Sequence, residues 1–178
     1  MSEVMEIKEP NKLIISGKGI LTATKKGTRK YDDKGRLVDP GEIVAVIESP
    51  NIICNEGLLL IAGFTIDESA TYDTGLTYCE IGTGSTAPAA GDTTLTTYHA
   101  RKAETSGGSR SNYVTTFSTF FTAAESTAVI AEAGMWGGGD AAAGEATGLL
   151  FSHFLASFDN SGGLYDVTIT YILTVSRG

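Results

Sequence analysis

Glu80-Ile81-Gly82-Thr83-Gly84-Ser85-Thr86-Ala87-Pro88 closes an apolar run and reads Gly-x-Gly-x-x-Ala, the form of a turn that cradles a dinucleotide phosphate. In that fold the last position opens a helix whose N-terminus faces the pyrophosphate, so the residues after it must propagate helically. Here Ala89-Ala90-Gly91-Asp92-Thr93-Thr94 follows, without an apolar stripe, with a glycine inside, and β-branched where a helix should grow. Farther on, where an acidic residue should end a second strand, the chain is rich in Gly and Ser (Glu104 to Ser111). The stretch therefore reads as a strand end and a turn, its glycines serving backbone geometry, and no cofactor is expected.

Strand signals surround it. Leu164 to Ser176 alternates cleanly, with Val167, Ile169, Tyr171, Leu173 and Val175 on one face and Asp166, Thr168, Thr170 and Thr174 on the other. Asn112 onward alternates as well, placing Tyr113, Phe117 and Phe121 on one face and Phe120 on the other. Leu13 to Thr24, Glu42 to Ser49, Leu76 to Gly82, Ser126 to Trp136 and Leu149 to Phe158 complete the strands, with Glu42 to Ser49 read as a buried one. Gly17 and Gly19 imply a bulge or a close backbone contact, and Asp33-Lys34-Gly35 a charged surface hairpin. Asn55 caps a short helix through Gly57 to Ala62, the one helix of note. Asp67 to Gly75, Ser85 to Thr94 and Gly137 to Gly148 read as loops, the last a low-complexity link, while Leu95 to Glu104 carries no clear assignment. The sum is an all-β chain, an antiparallel β-sandwich of jelly-roll type. Residues 1–50 are separable in composition and read as an N-terminal arm and hairpin, and residues 51–178 as the sandwich.

Composition agrees. The chain has 178 residues, of which 22 are Gly and 4 Pro, and charged residues make up 19%; the remainder is filled by Thr, Ser, Ala and Gly, which favours pleated strands and turns. A formal net charge of -8 repels phosphate backbones and anionic lipid. Neither nucleic acid nor membrane is expected as a partner, and no apolar run approaches a membrane span. Cys54 and Cys79 follow no metal-ligand spacing and suit a reducing compartment, as small buried hydrophobes.

Sites for chemistry are scarce. The only histidines are His99 and His153; His153 lies mid-strand among apolar residues and reads as a satisfied, half-buried imidazole, His99 as a surface one. Neither comes with a nucleophile elbow. Glu80, Glu125, Glu132 and Glu145 supply carboxylates, but spacing brings no two together. The turns at Asp32 to Gly35 and Asp159 to Gly163 lack the ligand alternation of a calcium loop. Lys25, Lys26, Arg29 and Lys30 form the one basic cluster, read as a solvated hairpin with cross-strand charge pairs or as an interface to an acidic neighbour. Met135 and the sole tryptophan, Trp136, pack in the core or, if exposed, anchor an interface.

Several stretches together resemble structural proteins of tailed bacteriophages. Asn51 to Ala62 is similar to an "N-x-I-x-N-x-G-L-x-x-I-A" element that carries Asn51 and Gly57. Ile81 to Leu95 is similar to "IGTG-x-x-AP-x-x-x-DT-x-L", carrying Gly82, Gly84, Pro88, Asp92 and Leu95. Glu132 to Trp136 resembles "E-x-G-L-F" through Glu132 and Gly134, and Leu149 to Ser176 resembles the closing hairpin. The chain departs from the pattern at Met135-Trp136, at His153 where arginine is common, and in the long loop after Gly137. The resemblance spans Asn51 to Ser176. It implies a non-enzymatic virion protein, made in the host cytoplasm. The first expectation is a capsid decoration or cement subunit that contacts the major capsid protein or other virion proteins as a homo-oligomer, with a trimer favoured. A tail fibre or baseplate module is the alternative, and a small hydrolase or carbohydrate-binding sandwich the distant one.

Overall fold

The computed structural model describes residues 13–65, 75–105 and 107–177. Two five-stranded antiparallel sheets pack face to face. The first runs in the order β4 (Ile43–Pro50), β1 (Leu13–Lys25), β12 (Tyr165–Arg177), β9 (Val114–Phe121), β8 (Ser109–Ser111). The second runs β5 (Ile52–Ile53), β11 (Leu149–Asp159), β10 (Val129–Gly137), β6 (Leu76–Gly82), β7 (Tyr98–Ala103). A two-stranded hairpin of β2 (Lys30–Tyr31) and β3 (Leu37–Asp39) projects between β1 and β4. One helix, α1 (Asn55–Thr65), lies among the described residues and packs on β11.

Inward side chains of the first sheet are those the alternation selects: Val167, Ile169 and Tyr171 on β12, Leu21 and Ala23 on β1, Phe121 on β9. They meet Cys79, Ile81, Ile130, Ala133, Met135, Phe154 and Ala156 from the second sheet. Gly19 is a close-contact glycine, because the Phe154 ring occupies the volume its Cβ would take. The hairpin forms as its turn chemistry predicts, with Gly35 at φ +75° and the Asp32 carboxylate accepting from the Lys34 and Arg36 N–H groups.

Four expectations need correction. Residues 1–50 are not an appended arm over the part described. β1 pairs with β12 from Leu13↔Arg177 to Lys25↔Tyr165 and gives Leu21 and Ala23 to the core, so it is an inner strand of the sandwich. β4 is not fully buried but an edge strand, with Ala45 and Ile47 turned to the core and Val44 and Val46 to solvent. Leu95 to Glu104, unassigned by its mixed pattern, contains β7, and the Gly- and Ser-rich segment after Glu104 contains β8. Tyr113 stands outside β9 and is exposed, unlike Phe117 and Phe121. The first ten residues, and residues 67–74 of the loop read from Asp67 to Gly75, lie outside the described residues.

β6, β10 and β11 show no two-residue periodicity in burial over much of their length, since both of their faces are covered. One face looks into the sandwich. The other lies beneath the chain between β6 and β7, residues 83–97, and beneath residues 138–148. Between that cover and the sheet sits a second layer, part apolar and part ionic.

Candidate functional site

On the covered face of the second sheet, Gly82 of β6 pairs with Glu132 of β10, and Glu80 pairs with Gly134 on one side and Arg101 of β7 on the other. His153 of β11 pairs with Gly134, which places its ring diagonal to Glu132. These residues are buried, Glu132 fully.

Glu132 is held from four directions. Its Oε1 accepts from the Gly84 N–H at 3.0 Å and the Thr97 N–H at 2.8 Å, and its Oε2 from the Thr96 N–H at 3.0 Å. The same Oε2 lies 3.0 Å from His153 Nε2, while His153 Nδ1 lies 2.8 Å from Asp92 Oδ2. With a carboxylate at each ring nitrogen, the imidazole satisfies both only by donating from both. Asp92 also accepts from the Ala89 N–H at 2.8 Å, and Ala90 O receives the Asn55 N–H, so the loop is tied to the start of α1. Partial burial pushes the Asp92 carboxyl up, but the Ala89 N–H and the His153 ring outweigh it and hold it below the ordinary carboxylate value.

The glycine turn does bind an anion, and the anion is the chain's own Glu132. A Cβ at Gly84 would overlap Glu132 Oε1, and one at Gly82 would come 2.7 Å from the same atom, so both positions admit the carboxylate only because they are glycine. The sequence reading of a strand end and turn missed that the turn faces an anion, whose position 48 residues away from Gly84 no local pattern marks.

Arg101 and Glu80 form a second buried pair, 3.1 Å apart, with side chains almost wholly removed from solvent. The guanidinium lies 4.6 Å from the Trp136 ring centre and 5.1 Å from that of Tyr78, and donates to Thr147 O, which pins the 138–148 loop. Burial pushes the Glu80 carboxyl up and the Arg101 guanidinium down, each partly offset by the other.

The sequence-marked residues converge on this layer. Gly82, Gly84, Asp92 and Glu132 build the carboxylate cradle. Leu95 reaches down over Gly134, where a Cβ would meet Leu95 and Leu150. Pro88 is half-buried in the loop. Gly57 abuts the Phe151 backbone, and Asn51 Nδ2 donates to Tyr171 Oη at 2.7 Å across the end of the sandwich. Met135 and Trp136 are corrections to the interface reading: both are buried, Met135 in the core and Trp136 against Cys54 and Leu150. In the basic cluster Lys25 pairs with Glu42 at 3.1 Å and Lys30 with Asp39 at 3.2 Å. Arg29 lies 4.3 Å from the Phe120 ring centre and donates to Thr168, and Lys26 is exposed.

Chemically the layer is closed. Both nitrogens of His153 are taken by carboxylates, leaving none to act as base toward a nucleophile. Asp92 and Glu132 grip opposite sides of one ring, so the three do not converge on a point, and among the described residues no cluster of His, Cys, Asp and Glu is placed to hold a metal. Burial pushes the neighbouring Cys54 thiol up to about 12, with Asp92 and Glu56 adding to the effect. An apolar cavity of about 470 Å³ opens between α1 and the sheet ends, lined by Leu60, Phe64, Phe117 and Phe151, with Arg110 the one charged residue of its lining among the described residues. Among the described residues it offers few polar groups to orient a substrate. No family model, no curated protein and no solved structure matches the chain.

Proposed function

We propose that this protein is a non-enzymatic structural component of a tailed-phage virion, a capsid decoration subunit that works through protein–protein contacts with the major capsid protein and with its own copies. The observation that carries the reading is the contrast between its interior and one border. The ionisable groups of the covered layer are spent on one another and on loop amides, while Leu37 and Val38 stand exposed on the β2–β3 hairpin and Ile43, Val44 and Val46 on β4. A sandwich that invests its buried charge in fixing its own loops and leaves apolar side chains at an edge is equipped to assemble. Repetition over a shell multiplies a modest contact into firm attachment.

The test is location. Cryo-EM of purified virions should place this sandwich on the outer capsid surface, and the isolated protein should co-sediment with empty capsids of the same phage. Density at the tail, or no density together with no co-sedimentation, overturns the decoration reading.

A further inference from the structure

α1 is apolar on every side, where a helix with one face to water carries charge there. Leu60 and Gly63 are buried, yet Leu58, Leu59 and Phe64 stand exposed. Glu56, the one charged residue of the helix, is spent on the Leu150 N–H. The cavity of about 470 Å³ opens beside this helix, and Leu173 and Phe117 of the first sheet line it together with Leu60 and Phe64. At its rim Arg110 donates to Asn112 O at 2.7 Å, and among the described residues no carboxylate pairs with it.

The chain enters the first sheet at this same end. β1 begins at Leu13, opposite Arg177; Gly17 lies opposite Leu173, and Thr115 lies between Leu173 and Arg110. Arg110 therefore stands three strands across from β1 and four residues inward of Leu13. With strands about 4.8 Å apart and about 3.3 Å of rise per residue, the separation is about 20 Å. About six extended residues cover it, which counts back from Leu13 to Ile7.

Residues 1–12 lie outside the described residues, and their sequence suits that path. Pro10 biases Glu9 toward extended backbone. At the distance required stands Val4-Met5-Glu6-Ile7. In an extended chain Met5 and Ile7 share one face and Glu6 takes the other. Charge agrees as well, since Glu3, Glu6 and Glu9 stand against Lys8 alone, and the cavity's one charge among the described residues is positive.

We infer that the chain's own N-terminal segment covers α1: Val4 to Ile7 crosses the end of the first sheet, Met5 and Ile7 enter the cavity against Phe64 and Phe117, and Glu6 meets the Arg110 guanidinium at the rim. The contact lies within one chain and holds whether or not the protein sits on a capsid.

The test is cross-linking within the full chain. Ile7→Cys/Phe64→Cys under a mild oxidant should form a disulfide inside the monomer, because docking brings the two positions within the about 7 Å that a disulfide spans. Ile7→Cys/Ser16→Cys is the control. Ser16 is exposed on the outer face of the first sheet and nearer to Leu13 along the chain. A segment moving freely reaches Ser16 at least as readily as Phe64, whereas the docked one should cross-link there at least about 10-fold more slowly. Both native thiols are buried, and Phe64 is 70% exposed, so its replacement leaves the core untouched. At low salt Glu6→Lys should slow the Phe64 cross-link about 3-fold, and Glu6→Lys/Arg110→Glu should restore it. Met5→Asp/Ile7→Asp should raise the fluorescence of anilinonaphthalene sulfonate several-fold over wild type as the cavity opens, with far-UV circular dichroism verifying the fold. Equal cross-linking at Ser16 and Phe64 overturns the docking, as does a disulfide-linked dimer in place of the internal disulfide, or dye binding by wild type equal to that of Met5→Asp/Ile7→Asp. An internal cross-link in a protein absent from virions removes the decoration reading and leaves the docking; capsid binding with equal cross-linking removes the docking and leaves the decoration.

Discussion

Replacing Glu132 with Gln keeps the side-chain shape and removes its charge, which isolates what the carboxylate does for the loop above it. Four donors face the two oxygens: the N–H groups of Gly84, Thr97 and Thr96, and His153 Nε2. The amide supplies one oxygen. Kept toward Gly84 and Thr97, it leaves its NH2 against Thr96 and His153. His153 can adapt by giving up its Nε2 proton and accepting from the amide, still donating from Nδ1 to Asp92, but the Thr96 N–H then has no acceptor. An orphaned buried donor costs about 1–3 kcal/mol. The bonds that remain lose their ionic character, worth about another 1 kcal/mol, since charge-assisted bonds are roughly twice as strong as neutral ones. The sum is about 3 kcal/mol, which for a domain of this length lowers Tm by about 6–12 °C. Calorimetry reads the total. Amide hydrogen exchange reads the place, because Gly84, Thr96 and Thr97 should lose protection while the β1–β12 ladder keeps its own relative to the global value. A Tm loss below about 2 °C, with those three amides as protected as before, would refute the claim that this carboxylate anchors the loop.

Four further outcomes follow from the same geometry. Gly84→Ala should destabilise by about 1–3 kcal/mol in chemical denaturation through overpacking against Glu132, whereas Gly91→Ala, with nothing within 4 Å of its added carbon, should be close to neutral. Arg101→Met should cost about 3–5 kcal/mol because it strands Glu80; adding Glu80→Leu should recover most of that loss in the same assay. Asp92 is depressed in the folded state, so its stabilisation is complete above its unfolded value and lost as pH falls through the folded one. Thermal melts taken below about pH 4 should therefore decline more steeply for wild type than for Asp92→Asn. Cys54, pushed up to about 12, and Cys79, pushed higher still by complete burial, should resist a thiol reagent at pH 8 in the native protein and react at once in denaturant.

Local pattern disclosed those elements whose two faces see different environments. β12 alternates because its inner face meets the core and its outer face water, so Val167, Ile169 and Tyr171 could be assigned from sequence alone. β4 kept an apolar sequence on both faces although it is an edge, and composition by itself could not distinguish a strand buried between neighbours from one awaiting a neighbour. β10 and β11 misled in the other direction. Glu132 and His153 interrupt apolar runs, and nothing local says that a loop from another part of the chain will close over them. The site was legible residue by residue and illegible as a set. Gly82, Gly84, Asp92 and Glu132 all stood in marked stretches, yet what joins them is a cross-strand diagonal between β10 and β11 and a loop returning after β6. Arg101 carried no signal, because an Arg in a short charged strand reads as solvent-facing until Tyr78, Trp136 and Thr147 are seen to enclose it.

A buried ionic layer is weak evidence of stability, since well-packed apolar residues of similar volume often serve as well or better. Its value here lies in what it specifies. An apolar loop can settle on an apolar sheet in many registers of similar energy, but a carboxylate that needs the Gly84, Thr96 and Thr97 amides at once accepts one. Because the anion is covalently part of the chain, the turn pays no association entropy to hold it, unlike a turn awaiting a free phosphate. The consequence is a sandwich with one face sealed by loops in a single arrangement and one border, β4, that bears exposed valines and, among the described residues, has no strand on its outer side. Natural sheets blunt such a border when the protein works alone. Here Glu48, Pro50 and the register shift between Ala23 and Thr24 blunt it in part, and the proposed assembly would complete it from another chain.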